Sequence, residues 1–160
     1  MVEKKGKILV LGLGNTIVSD DGVGIYVAGK YGESSRNAGG RVEVTCTSKS
    51  GVELLPLLEG YESAVVVDAI KTAGGRPGTV YTFEMDDLSA TLHTVSPHSV
   101  NVFTAVELGK ACGLDMPGRV LVLAVEIEDN VNFGEKCTPG VDAAVPDAVK
   151  MLDKLVESLI

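Results

Sequence analysis

The sequence predicts an α/β protein whose mostly parallel sheet of about five strands is covered by helices on both faces. Three observations predict it. Apolar runs such as Ile8-Leu-Val-Leu11 and Ala64-Val-Val-Val67 are continuous rather than alternating, the mark of strands buried on both faces. These runs alternate along the chain with segments of helical spacing, the order that winds a parallel sheet. The composition is 45% hydrophobic but only 4% aromatic and lacks Trp, so the core must be built from Val, Leu, Ile and Ala.

Residues 7–13 form the first expected strand, and 21–31 a helix that Gly32 could end. Val42, Val44 and Cys46 alternate with polar residues across 41–47, predicting a half-buried strand. A short helix over 51–58 carries Leu54, Leu55 and Leu58 at helical spacing. Residues 63–68 form a central strand, and the Gly-Gly-Arg-Pro-Gly turn at 74–78 leads into a strand over 79–84. No helix separates these two strands, which predicts that the second is antiparallel or at an edge. Residues 85–98 look irregular and end at Ser96-Pro97-His98. A helix over 99–111 follows, with Gly113 as its left-handed stop. The last strand occupies 119–125. Thr138 suits an N-cap and Pro139 a first helical residue for a helix running to about 159, with Pro146 inside it as a source of a kink. Its apolar face is Val145, Val149, Leu152 and Val156. No repeat, low-complexity tract or linker divides residues 1–160, so a single domain is expected.

The chain has 160 residues, enough for an ordinary core that removes roughly 70% of the unfolded surface from water. A formal charge of −8 argues against a nucleic-acid partner. The three cysteines, Cys46, Cys112 and Cys137, form no C-x-x-C pair, so neither a zinc knuckle nor a disulfide framework is expected. They read as small buried hydrophobes in a reducing compartment. No apolar run approaches membrane-spanning length and no signal peptide opens the chain, so a cytoplasmic protein with no membrane partner is expected.

The segment from Gly12 to Gly24 carries the strongest chemical suggestion. Glycines follow the first strand, and two adjacent carboxylates, Asp20 and Asp21, stand where the turn feeds a helix. The carboxyl ends of parallel strands line one rim, which is where open α/β sheets place their sites. Asp68, at the end of the central strand, belongs to the same rim, where it could equally bind loop amides or cap a helix. Of the two histidines, His98 is stiffened by Pro97 and precedes Ser99, a possible helix cap, whereas His93 has no fixing neighbour. Two carboxylates and one imidazole would form a three-ligand site for a borderline divalent ion, without choosing among nickel, zinc, iron and manganese. Spacing alone does not establish that Asp21, Asp68 and His98 converge. A dinucleotide site is disfavoured: the Gly-x-Gly-x-x-Gly fingerprint fails at Ile17, and two acids would repel a pyrophosphate. No P-loop and no Gly-x-Ser-x-Gly elbow is present.

Taken in order, Ile8-Leu-Val-Leu-Gly-Leu-Gly-Asn15, Asp20-Asp-Gly-Val-Gly24, Val67-Asp-Ala-Ile70, Ser96-Pro-His98 and Cys137-Thr-Pro139 span nearly the whole chain. In these motifs the chain resembles the hydrogenase maturation proteases, endopeptidases that process the large subunit of nickel–iron hydrogenases. The resemblance implies a three-layer α/β/α sandwich and an aspartyl-type endopeptidase. It implies that Asp21, Asp68 and His98 are nickel ligands first and catalytic groups second, with the nickel delivered on the cysteine thiolates of the substrate. Some relatives carry Glu where Asp21 stands. The implied reaction removes a C-terminal extension from a nickel-loaded large-subunit precursor, carried out by a monomer. Whether the metal polarises the carbonyl or a carboxylate serves as general base stays open. The chain departs from the pattern at Cys46-Thr-Ser-Lys-Ser-Gly51, where many relatives carry an Asp-Gly-rich loop proposed to influence substrate choice. That departure leaves open which hydrogenase is processed. It also supports one alternative, a peptidase of the same fold acting on another precursor; a non-catalytic metal-binding assembly factor is a separate alternative.

Overall fold

The computed structural model describes residues 4–34, 38–90 and 97–160, and the side chains of 38, 88–90 and 97–100 lie outside that description. His93 and Ser96 therefore fall outside it, and for His98 only the backbone is described.

Five strands form one sheet: β1 (Ile8–Leu13), β2 (Val42–Thr47), β3 (Ser63–Ile70), β4 (Val80–Glu84) and β5 (Arg119–Glu126). Their spatial order is β2-β1-β3-β5-β4, with every pair parallel except β4 with β5. The exception follows from the connection: parallel neighbours need a crossover of a dozen or more residues, usually helical, and the turn after β3 holds no helix. The continuous apolar strands are buried along their full length in β1 and β3, as strands covered on both faces must be.

Side-chain alternation sorts the core into two layers. Ile8, Val10, Val65, Val67, Leu121, Leu123 and Val125 face α1 (Val23–Glu33) and α4 (Pro139–Glu157). Leu9, Leu11, Ala64, Val66, Val120 and Val122 face α2 (Leu55–Leu58) and α3 (Pro97–Ala111). The two helical layers with the sheet between them give the α/β/α sandwich. Each fully buried Val or Leu contributes about 1.5–3 kcal/mol, so the paired layers dominate the stability of the sheet.

Several boundaries differ from the sequence reading. The Asp20-Asp21 segment is a separate 3-10 turn, Ser19–Gly22, and α1 runs on through Gly32 to Glu33. Helix α3 begins at Pro97, so His98 lies in its first turn rather than before it, and Ser99 is interior rather than a cap. Pro fits the first helical position because its missing N–H would be unpaired there in any case. Gly113, at φ +76, follows α3 as expected. Thr138 precedes α4 with Pro139 in its first turn, but its side chain makes no cap hydrogen bond. The cysteines are free and not buried: Cys46 and Cys112 are exposed and Cys137 is half-buried. Cys46 lies on the edge strand β2, with its thiol against the Ile25 carbonyl of α1, Cys112 lies just past the end of α3, and Cys137, in the loop before α4, packs at the margin of the core. Among the described residues no helix is long and apolar enough to cross a membrane.

Candidate active site at the carboxyl rim

The rim is shaped by two close backbone approaches. Gly14 has φ +147, and a Cβ there would stand 2.1 Å from the carbonyl oxygen of Asp21. A Cβ on Gly24 would stand 2.4 Å from the carbonyl oxygens of both Leu13 and Val67. The glycines thus let the chain fold back, pressing the 3-10 turn and the start of α1 onto the ends of β1 and β3. No bound phosphate is needed to explain them. Ser19, at φ +44, is the one non-glycine residue with positive φ among the described residues. Such a conformation is uncommon outside glycine, so the surrounding contacts hold this turn in place.

The two adjacent acids take different parts. Asp20 is fully buried. Its Oδ2 accepts hydrogen bonds from the backbone N–H of Glu128 (3.0 Å) and Asp129 (2.9 Å). Its Oδ1 accepts from the N–H of Thr138 at 2.6 Å, and the Thr138 hydroxyl donates to the same carboxylate at 2.9 Å. That is why Thr138 does not cap α4: its hydroxyl is committed to Asp20. Asp20 ties three segments together, the 3-10 turn, the loop after β5 and the start of α4. Asp21 is only half-buried. Its Oδ2 accepts from the backbone N–H of Asn15 at 3.0 Å, which fixes it against the end of β1.

Asp68 is fully buried near the end of β3, and its Oδ1 accepts from the N–H of Ala69 at 2.8 Å. It alternates with Ala64 and Val66, so its side chain leaves the sheet on the face covered by α3. The 3-10 turn bearing Asp21 packs against β3. Chain direction places the backbone of His98. Beyond α3, Gly60 N–H bonds the Asp115 carbonyl and Gly118 N–H bonds the Glu62 carbonyl, which sets this loop beside the start of β3. The C-terminal end of α3 is therefore at the amino edge of the sheet. A 15-residue helix spans about 22 Å, close to the length of the strands it covers, so its first turn reaches the opposite rim. The backbone of His98 thus lies on the same rim and face as Asp68. Among the described residues no group of three metal-ligating side chains is complete; the His98 imidazole is outside the description. The donor chemistry of Asp21 and Asp68 fits a divalent ion whose remaining positions are filled by softer ligands.

The sequence places the carboxyl end of the last strand near Glu126, on the same rim, but gives that residue no role. Glu126 is 1% exposed at the end of β5. Its Oε1 accepts from the Thr72 N–H (2.9 Å) and hydroxyl (2.8 Å), and its Oε2 has no hydrogen-bond partner among the described residues. An acid closing an apolar strand was the available signal. A groove of about 560 Å³ lies on the other side of the sheet, between α1 and the start of α4. It is lined by Tyr26, Lys30, Cys137 and Asp142 among others and includes none of the three candidate residues.

Comparison with known proteins follows the same architecture. Residues 37–154 match the family model described as hydrogenase maturation protease (HycI). The hydrogenase expression/formation protein HupD of Rhodobacter capsulatus is 30% identical over 158 residues, covering 93% of this chain and 72% of that protein. The hydrogenase 2 maturation protease of Escherichia coli (strain K12) is 24% identical over 147 residues, covering 91% of this chain and 88% of that one. Among solved structures, the hydrogenase maturating endopeptidase HybD from E. coli superimposes with a TM-score of 0.78 at 23% identity, covering 95% of this chain and 93% of that chain. The [NiFe] hydrogenase maturation protease HybD from Thermococcus kodakarensis gives 0.71 at 24% identity, covering 93% and 98%. The sheet order, the two helical layers and these matches agree: the chain belongs to the hydrogenase maturation protease family and is a peptide-bond hydrolase of that family.

Proposed function

We propose that this protease removes the C-terminal extension of a nickel–iron hydrogenase large-subunit precursor that has already received nickel, and that it reads the nickel through Asp21, Asp68 and His98. The observation that carries this reading is the division of labour at the rim. Asp20 is consumed by four hydrogen-bond donors, whereas Asp21 is half-buried and held beside the end of β1. Asp68 adds a second carboxylate on the face that α3 covers. Nickel held by the precursor's thiolates would supply a fixed anchor that brings the scissile segment to the rim. Two carboxylates and an imidazole offer harder donors, complementary to those thiolates. With the peptide so placed, a rim carboxylate can take the proton of an attacking water and return it to the leaving amine. The enzyme acts as a monomer, as one domain over residues 1–160, in the cytoplasm.

The test incubates the purified protein with nickel-loaded precursor and follows the precursor by mass spectrometry. Loss of a C-terminal peptide is expected with the wild type, and its absence with Asp21→Ala, Asp68→Ala and His98→Ala. Wild-type activity in all three variants would remove the site assignment, and stable binding without cleavage by the wild type would favour an assembly factor. The exposed Cys46 and the 63% exposure of Val52 bracket the 46–51 segment in which the chain departs from its relatives. They favour, as a second reading, a precursor other than the one those relatives process. Cleavage of an alternative precursor with no cleavage of the hydrogenase precursor would support it.

A further inference from the structure

The loop between β5 and α4 holds three things together: tight anchoring, large apolar side chains in water, and contact with the segment that carries Asp21. Phe133 is 86% exposed and Val131 77%, the two highest values among the large hydrophobic residues described. Ile17, in the loop leading to Asp21, is 53% exposed. A short parallel bridge joins Val18 to Gly134, with the Gly134 N–H donating to the Ile17 carbonyl at 2.9 Å and the Ser19 N–H to the Gly134 carbonyl at 2.8 Å. Ile17 and Phe133 each stand one residue before that bridge, which makes them neighbours across it.

Exposure here does not come from slack. Asp20 accepts from the N–H groups of Glu128 and Asp129, and Asp129 Oδ1 accepts from those of Val131 and Asn132, both at 3.0 Å. The Tyr26 hydroxyl donates to the Glu135 carbonyl at 2.7 Å. The backbone is hydrogen-bonded on both sides of Phe133 while its side chain is left largely in water. A chain with three Phe and no Trp has placed one of its few large aromatics in water on a fixed support. Aromatic anchors on pre-organised loops are the side chains that most often dominate binding energy.

We infer that Ile17, Val131 and Phe133 form the docking surface for an apolar segment of the precursor polypeptide, seated beside the residue that meets its processing site. This rests on the functional reading above and deepens it by naming a recognition surface outside the trio. The occupant follows from continuity. Ile17 is four residues before Asp21 and its N–H donates to the Asn15 side chain at 3.2 Å, while the Asn15 backbone holds the Asp21 carboxylate. The patch is thus built on the same loop that positions Asp21, so a polypeptide whose processing site meets Asp21 has this surface beside it. The loop itself carries Glu128, Asp129 and Glu135 against Lys136, with the Lys71 ammonium donating to the Glu128 carbonyl, a balance that still favours a segment with basic flanks.

The experiment measures steady-state cleavage of nickel-loaded precursor by the wild type, Phe133→Ser, Val131→Ser/Phe133→Ser and, as a control at an exposed apolar site on α3, Leu108→Ser. Precursor binding by each is titrated by fluorescence anisotropy, and sedimentation velocity is run on each protein alone. The patch variants are expected to raise KM and weaken binding about tenfold or more, with most of the loss in KM rather than kcat and with unchanged thermal midpoints. Leu108→Ser should match the wild type. Wild-type KM and affinity in the double variant would overturn the docking surface while leaving the trio standing. A wild-type dimer that dissociates in the double variant without change in KM would assign the patch to a second copy of this chain and overturn it equally. A wild type that neither binds nor cleaves the precursor would instead remove the functional reading on which the proposal rests.

Discussion

Removing the Asp20 carboxylate should cost the protein its stability, whereas removing its neighbour Asp21 should cost its activity. Asp20→Ala deletes an acceptor that receives the N–H groups of Glu128, Asp129 and Thr138 and the Thr138 hydroxyl. A hydrogen bond to a charged group is worth about 1.5–3 kcal/mol, and the four are not additive because the exposed loop can turn some of its amides to water. A loss of about 3–5 kcal/mol remains. For a chain of 160 residues, that lowers the thermal midpoint by roughly 6–20 °C. Asp21→Ala leaves this junction intact and should unfold far closer to the wild type. Calorimetry of both variants in the same buffer, paired with precursor cleavage, separates the two acids. An Asp20→Ala protein within about 0.5 kcal/mol of the wild type would refute the reading, because a buried staple cannot be removed at the cost of a surface substitution.

Three further outcomes are expected. Gly24→Ala forces a methyl against the carbonyl oxygens of Leu13 and Val67, neither of which can rotate away, so a loss of about 3 kcal/mol is expected by urea unfolding. Burial pushes the Cys137 thiol up to about 11, with Asp20 and Asp142 adding to it. Its alkylation by iodoacetamide, read by peptide mass, should rise about tenfold per pH unit between pH 8 and 10; a plateau near pH 9 would contradict the buried environment. The Glu43 carboxyl is held below its ordinary value of 4.5 chiefly by the Lys7 ammonium and then by the Tyr61 hydroxyl. Because its folded value lies below the unfolded one, the stability it contributes is present above pH 4.5 and is lost as pH falls through the folded value. Glu43→Gln should therefore flatten the acid limb of the urea midpoint against pH, and an unchanged limb would refute the assignment.

The layers of the sandwich were legible because β1, β3 and β5 are continuous apolar runs, and the reversal of β4 was legible from the connection before it. The start of α3 was misplaced because Ser99 resembles a cap, while Pro97 two residues earlier already satisfies the first helical position. Cysteine placement failed because the expectation used residue type alone, and Cys46 lies on a strand at the edge of the sheet. The acid pair was legible as a site, yet the partners of Asp20 were not: its ligands lie 108 to 118 residues away in the chain. Contacts at that separation leave no mark in local periodicity. Phe133 and Val131 were passed over because a loop without helical or strand period offers no face on which to judge an apolar residue.

The sheet order carries a consequence for synthesis. β5 is last in the chain, yet it lies between β3 and β4, so β4 has no partner until residues 119–126 arrive. A nascent chain that has emerged only through residue 90 can pair β2, β1 and β3 but must leave the apolar edge of β3 uncovered. That edge carries Asp68, which β5 seals at Ala124. The Asp20 staple waits longer still, for Thr138. Truncations ending before β5 should therefore aggregate through the open edge. Those ending between Asp129 and Thr138 should close the sheet while leaving Asp20 with only two of its four donors, so the rim is completed by residues more than a hundred positions beyond the acids it holds.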